Sequence, residues 1–149
     1  TYHSDYYDRI LPANDRNNGL KFKHDRFSKS KKNVLRGLHY DDKTWKLVNC
    51  LHGKIYLVVL DLRPKQDNYG KWESFILSPE TATQVLIPPM FANGHYVFED
   101  DSIFSYKLAY QGEFNDVDKQ QTIKWNSTKF NIDWPCTTPI ISKRDANGN

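Results

Sequence analysis

The sequence predicts an all-β fold, a single antiparallel sandwich or small barrel of the jelly-roll type. Glycine-containing turn signals recur along the chain, and the runs between them are rich in β-branched and aromatic residues. Helical periodicity is weak throughout. A jelly roll commonly binds its ligand inside the barrel, so the ionisable residues of interest are those on inward-facing strand positions.

The turn signals are Asn18-Gly19, His52-Gly53, Tyr69-Gly70, Asn93-Gly94 and Gln111-Gly112. Runs 46–51 and 54–62 flank His52-Gly53 and predict a hairpin. The second run, Ile55-Tyr56-Leu57-Val58-Val59-Leu60, is almost continuously apolar, which places it between two covered faces. Further strands are expected over 72–77, 83–87, 94–99 and 103–110. In the last, Ile103, Ser105 and Lys107 alternate with Phe104, Tyr106 and Leu108, as two different faces require. A short helix over 4–11 is stopped by Pro12, Ser78-Pro79-Glu80-Thr81 makes a cap or turn, and the polar tail 144–149 frays.

The chain has 149 residues, enough for one domain with a substantial core, and residues 1–149 are assigned to it. Its 14% aromatic content argues against disorder. No apolar run approaches the ~18 residues of a membrane helix. The net charge of +3 is small and evenly spread, so neither nucleic acid nor a membrane is an expected partner. Cys50 and Cys136 have neither metal-ligand spacing nor a disulfide framework, which points to a reducing, cytoplasmic setting. Residue 1 is Thr, so the sequence reads as beginning inside a longer natural chain.

The segment Asn33-Val34-Leu35-Arg36-Gly37-Leu38-His39-Tyr40 is the first candidate for chemistry. Strict alternation puts Leu35, Gly37 and His39 on one face and Val34, Arg36, Leu38 and Tyr40 on the other. Taken alone it is compatible with a solvated Arg and a structural His. Lys46, between Trp45 and Leu47, opens an apolar strand and is equally weak alone. A jelly-roll metal centre needs clustered His and carboxylate ligands. His39 has no His partner close in sequence, and His3, His24, His52 and His95 are scattered. No metal and no cofactor is expected, and no Gly-rich phosphate loop or nucleophile elbow is present. What remains is proton chemistry, with His39 as base and a Tyr as acid.

From Phe27 to Asp145 the chain closely resembles the nucleotide-sugar 3,5-epimerases whose type member is dTDP-4-dehydrorhamnose 3,5-epimerase. The resemblance runs in order through residues 27–40, Lys46-Leu47-Val48 with Gly53, Asp61-Leu62-Arg63, and Tyr69-Gly70-Lys71-Trp72. It continues with Leu77-Ser78, Ile87-Pro88-Pro89-Met90-Phe91-Ala92, Tyr106-Lys107, Ile132-Asp133-Trp134-Pro135 and Ser142-Lys143-Arg144-Asp145. It implies a metal-free cupin jelly roll, usually a homodimer, that epimerises a nucleoside-diphosphate 4-keto sugar. The ketone acidifies the C3 and C5 hydrogens; removing one gives an enolate, and reprotonation on the opposite face inverts the centre. By this resemblance His39 is the base and Asp145 orients it. Lys46 stabilises the enolate oxygen, Tyr106 is the acid, and Arg36 and Arg144 contact the diphosphate.

Three departures bear on the substrate. Ala92-Asn93-Gly94-His95 stands where the type enzymes read Ala-His-Gly-Phe, so Asn93 becomes a neutral ligand contact and His95 either replaces the lost imidazole or packs. His24-Asp25-Arg26 replaces a Gln-x-Asn pattern of the thymidine-specific members, putting His24 and Arg26 among the substrate contacts. Thr1-Tyr2-His3-Ser4 retains only the end of an Arg-Gly-aromatic-aromatic-x-Glu motif, with Ser4 at the Glu position and an N-terminal segment inferred to be missing. These features resemble the branch acting on GDP-linked 4-keto-heptoses, including 6-deoxy forms, for bacterial capsule polysaccharide. Epimerisation at both C3 and C5 of a GDP-linked sugar is the favoured expectation. The alternatives are a dTDP-4-keto-6-deoxyglucose 3,5-epimerase, a 3,4-ketoisomerase, and a non-catalytic sugar-binding cupin module.

Overall fold

A computed structural model describes residues 7–148 of the chain. Two sheets, antiparallel except for the short β10–β2 pair, face one another, as the turn-punctuated pattern predicts. The strands are β1 (Phe22–Ser30), β2 (Val34–Tyr40), β3 (Trp45–His52), β4 (Ile55–Asp61), β5 (Trp72–Leu77), β6 (Val85–Ile87), β7 (Phe91–Val97), β8 (Ser102–Ala109), β9 (Gln121–Thr122) and β10 (Ile140–Ile141). One sheet has the order β1-β8-β3-β6; the other runs β10-β2-β7-β4-β5, with β9 also on β2. Two short helices, α1 (Ala13–Asn17) and α2 (Lys143–Asn147), complete the described elements. This is the jelly-roll arrangement, and no described helix is long and apolar enough to cross a membrane.

β4 has both faces covered, as its apolar run predicts. Ile55, Leu57 and Val59 pack between the sheets with Val48, Val97 and Phe104. Val58, Leu60 and Tyr56 pack on the other side with Leu35, Leu38, Phe130 and Trp134. The 3.3–3.4 Å strand rise and period of two let one strand serve two cores.

Several expectations are corrected. β3 and β4 do not form a hairpin: β3 pairs with β8 and β6, β4 with β5 and β7. The His52-Gly53 corner carries the chain from one sheet to the other. Gly53 has a φ of +75°, and a Cβ there would collide with Ser102. Asn93-Gly94 is not a turn but the middle of β7. A Cβ on Gly94 would lie 2.8 Å from the Arg36 carbonyl, so this glycine serves close strand packing. The strand expected over 83–87 is confined to β6, and β1 is a strand that hydrophobic periodicity does not reveal. Most of the helix expected over 4–11 lies outside the described residues; within them Tyr7 and Asp8 are helical. The tail does not fray before Gly148, because 143–147 forms α2, capped by Ser142. Residues 78–81 do form a turn, closed by reciprocal Ser78–Thr81 hydrogen bonds. Cys50 is a buried core residue, and both thiols are free.

Candidate active site

A cavity of about 450 Å³ opens between the two sheets, within the usual range for a small-molecule site. Its walls come from opposite sheets. β2 and β7 contribute Arg36, His39, Asn93 and His95; β3 and β8 contribute Lys46, Val48, Phe104, Tyr106 and Leu108. β1 adds Arg26 and Ser28 at one edge, and α2 adds Arg144 and Asp145.

Strict alternation would put Arg36 and His39 on opposite faces of β2, yet both line the cavity. The pairing of β2 with β7 shifts register between them, so the extra residue re-aims the strand. Gly37 permits this, with a φ of +114° and backbone so close to β7 that a Cβ would lie 2.5 Å from the Gly94 Cα. The freed Gly37 N–H donates to Asp145 Oδ2 at 3.2 Å. His39 Nε2 lies 2.6 Å from Asp145 Oδ1. One carboxylate thus holds both the irregularity and the imidazole. With Nε2 donating to Asp145, the neutral ring carries its lone pair on Nδ1.

Asp145 is only 4% exposed. Burial pushes its carboxyl upward, but the His39 bond and charge, the Gly37 N–H and the Ser142 hydroxyl outweigh it and hold it below the usual carboxylate range. Asp145 therefore stays ionised beside the ring it orients. The Ser142 side chain accepts from the Asp145 N–H at 3.1 Å, so the helix cap fixes the residue's backbone too.

On the opposite wall Lys46 is 9% exposed and donates to Asn93 Oδ1 at 2.8 Å and to the His39 carbonyl at 3.3 Å. Burial lowers its ammonium to about 8, with Asp41 pulling the other way, so it is still mostly protonated at pH 7. His95 is pushed down to about 3 by burial first, then by Arg36 and His39, against Asp145. It is a neutral ring that stacks on Phe104 at 4.2 Å while lining the cavity. Arg36 is steered by its Nε–Ser30 Oγ bond at 3.1 Å, and Arg144 by Nε donating to Thr122 Oγ1 at 3.1 Å. Arg26 approaches Asp116 at 3.6 Å and leans over Phe114.

Nine of the ten residues picked from sequence line the cavity: Arg26, Arg36, His39, Lys46, Asn93, His95, Tyr106, Arg144 and Asp145. His24 does not. Its ring packs edge-on to Phe114, with Tyr110 Oη 3.4 Å from Nδ1, which places it behind the cavity wall rather than in it. Sequence reading missed Ser28, Ser30, Thr44, Thr122 and Ser142. Ser30 and Thr122 orient arginines, and Ser142 orients the carboxylate; short hydroxyl residues gave no signal of this. The walls carry four cationic side chains against the single carboxylate of Asp145. Such a balance suits a doubly charged phosphate ester, and an imidazole and a phenol lining one cavity from opposite sheets, His39 and Tyr106, suit proton transfer.

The profile of the dTDP-4-dehydrorhamnose 3,5-epimerase family matches residues 2–149. A protein of that name from Shigella flexneri is 38% identical over 132 residues, covering 87% of this chain and 71% of its own. A similarly named protein from Escherichia coli is 38% identical over 125 residues, 82% of this chain and 66% of its own. Among solved structures, a dTDP-6-deoxy-D-glucose-3,5-epimerase of Legionella pneumophila, in complex with dTDP-4-keto-L-rhamnose, superposes with a TM-score of 0.85. It is 32% identical and covers 99% of this chain and 76% of that one.

Proposed function

The chain belongs to the dTDP-4-dehydrorhamnose 3,5-epimerase family of isomerases, and from that premise we propose that it inverts C3 and C5 of a dTDP-linked 4-keto-6-deoxy sugar. One observation carries the chemistry: the His39–Asp145 dyad stands on one wall of the cavity, with Lys46 and Tyr106 on the other. His39 Nδ1 removes the proton next to the ketone. Negative charge then grows on the C4 oxygen, where the Lys46 ammonium meets it. Tyr106 returns a proton from the opposite side, inverting the carbon. Asp145 stabilises the imidazolium formed in the first step. Arg36 and Arg144 hold the diphosphate, with Arg26 toward the nucleoside.

The named relatives carry dTDP-linked names, which supports thymidine over the GDP-linked heptose suggested by residues 24–26 and 92–95. His24, one basis of the GDP reading, lies outside the cavity. Family membership also speaks against a non-catalytic sugar-binding module. A homodimer belongs to the proposal; β1 is an edge strand, and its Phe27 is 76% exposed.

The test is turnover in heavy water with dTDP-4-keto-6-deoxyglucose, followed by proton NMR. Solvent deuterium is expected at both C3 and C5 with the carbonyl still at C4. Exchange at one carbon refutes double epimerisation, and a carbonyl moved to C3 identifies a ketoisomerase. Calorimetry with dTDP and GDP decides the base: tenfold tighter GDP binding would restore the GDP-linked reading.

A further inference from the structure

Among the described residues, three buried side-chain atoms have no hydrogen-bond partner: Asp41 Oδ2, Thr44 Oγ1 and His95 Nε2. Only Asp41 belongs to a charged group that the chemistry above leaves unused. It is 7% exposed and sits in the loop joining β2 to β3. Its Oδ1 accepts from the Thr44 N–H at 2.7 Å and the Lys43 N–H at 3.0 Å, and its carbonyl accepts from the Met90 N–H at 2.9 Å. These bonds account for the turn and use one carboxylate oxygen. The second is buried and free, an arrangement that costs free energy unless a nearby positive charge offsets it.

That charge closes the same loop. Lys46 Nζ reaches back to the carbonyl of His39, two residues before Asp41, and to Asn93 across the cavity. Its direct bonds go to these neutral oxygens, so Asp41 acts on it through space. We propose that Asp41 is a positioning residue that acts through Lys46, its buried carboxylate keeping the ammonium protonated at the cavity wall. The inference rests on the reading of Lys46 as the enolate-stabilising cation.

The groups surrounding Lys46 support this assignment. Lys46 shares the cavity with Arg26 from β1, with Arg36 and His39 from β2, with Asn93 and the neutral His95 from β7, with Tyr106 from β8 and with Arg144 and Asp145 from α2. Asp145 is engaged with His39 Nε2 and the Gly37 N–H. Asp41 is the charge that opposes the burial of Lys46. Both groups are buried, and a charge withdrawn from water acts on another without direct contact because screening is weak there.

Asp41→Asn keeps the Oδ1 acceptor and removes the charge, while Asp41→Ala removes both. With lysine 13Cε labelling, Lys46 is identified by the resonance lost in Lys46→Gln. Its midpoint in Asp41→Asn is expected to fall by about half a pH unit or more from the wild-type value. Loss of the cation then begins at lower pH, so the alkaline limb of kcat/KM moves down by the same amount. The melting temperature should change little in Asp41→Asn and drop in Asp41→Ala. A folded Asp41→Asn protein with an unchanged Lys46 midpoint overturns the proposal, leaving Asp41 a turn residue only. If Asp41→Asn does not fold, Asp41→Ser supplies the same neutral acceptor and is read identically. A shifted midpoint with an unmoved kcat/KM limb upholds Asp41's action on Lys46 and instead refutes the catalytic role of Lys46.

Discussion

The space between the two sheets has a dry part and a polar part built on the same strands. Along β7, Val97 faces the dry part, while His95 and Asn93 line the cavity; along β3, Cys50 belongs to the first and Lys46 to the second. Val48 and Phe104 border both. The same strands run through both parts, and the register shift in β2 around Gly37 together with the inward side chains sets the site apart from the core. Each inward position is filled by whatever side chain the sequence places there. The dry part is satisfied by contact alone. The polar part needs a partner for every group, and supplies most of them from Ser30, Thr122, Ser142 and Asn93.

Substitutions on either side of the boundary should therefore separate function from stability. His39→Asn carries the largest effect. It removes the proposed base and keeps much of the shape, so kcat should fall about 10²- to 10⁴-fold. Affinity for the nucleoside diphosphate and the melting temperature should hardly move. Weakened nucleotide binding of similar size would show that His39 binds rather than catalyses. Leu57→Ala, fully buried in the dry part, is the converse. It should destabilise by about 2–5 kcal/mol in urea unfolding, with kcat unchanged per folded molecule. A comparable loss of kcat would mean that the two parts are mechanically coupled.

His95 tests the boundary itself, being a titratable group treated by its surroundings as an aromatic core residue. Its folded value of about 3 lies below the ordinary 6.5. The unfolded chain therefore takes up a proton that the folded chain refuses. Stability is complete above pH 6.5 and is lost as pH falls from there toward 3. At pH 5.5 the loss from this residue is on the order of 1 kcal/mol. His95→Phe keeps the stacking on Phe104 and should remove that loss. Urea unfolding at pH 7.5 and 5.5 measures it, and an unchanged pH dependence would show that His95 titrates freely in the fold.

How far the sequence revealed this arrangement follows the same division. The dry strands were legible because apolar alternation marks burial, and β4 shows this most directly. β1 was not, because its half-buried positions are His24, Arg26 and Ser28, while Phe27 points outward. Hydrophobic periodicity is inverted where the inward face lines a polar cavity. The dyad's partner was legible only through family resemblance. Asp145 lies 106 residues from His39 in a tail whose composition reads as solvent-exposed. The convergence of Arg36 with His39 was illegible by alternation, since it depends on a register shift around one glycine. The β3–β4 corner failed for another reason: a two-residue turn does not say whether the next strand returns in the same sheet or crosses to the other.

The smallest expected effect concerns that tail. α2 has only five residues, too short to hold itself, and its Ser142 cap bonds the N–H of the residue that carries the dyad carboxylate. Ser142→Ala should cost about 1 kcal/mol, the usual worth of an N-cap. If the helix exists to aim Asp145, kcat should fall severalfold as well, because His39 loses its fixed orientation in part of the population. Ser142→Asn, which restores the cap acceptor, should recover both stability and rate. A protein destabilised by the Ala change with an unaltered kcat would show that the His39–Asp145 bond at 2.6 Å and the Gly37 N–H suffice to orient the carboxylate. The tail would then be held by the polar part of the interior rather than holding it.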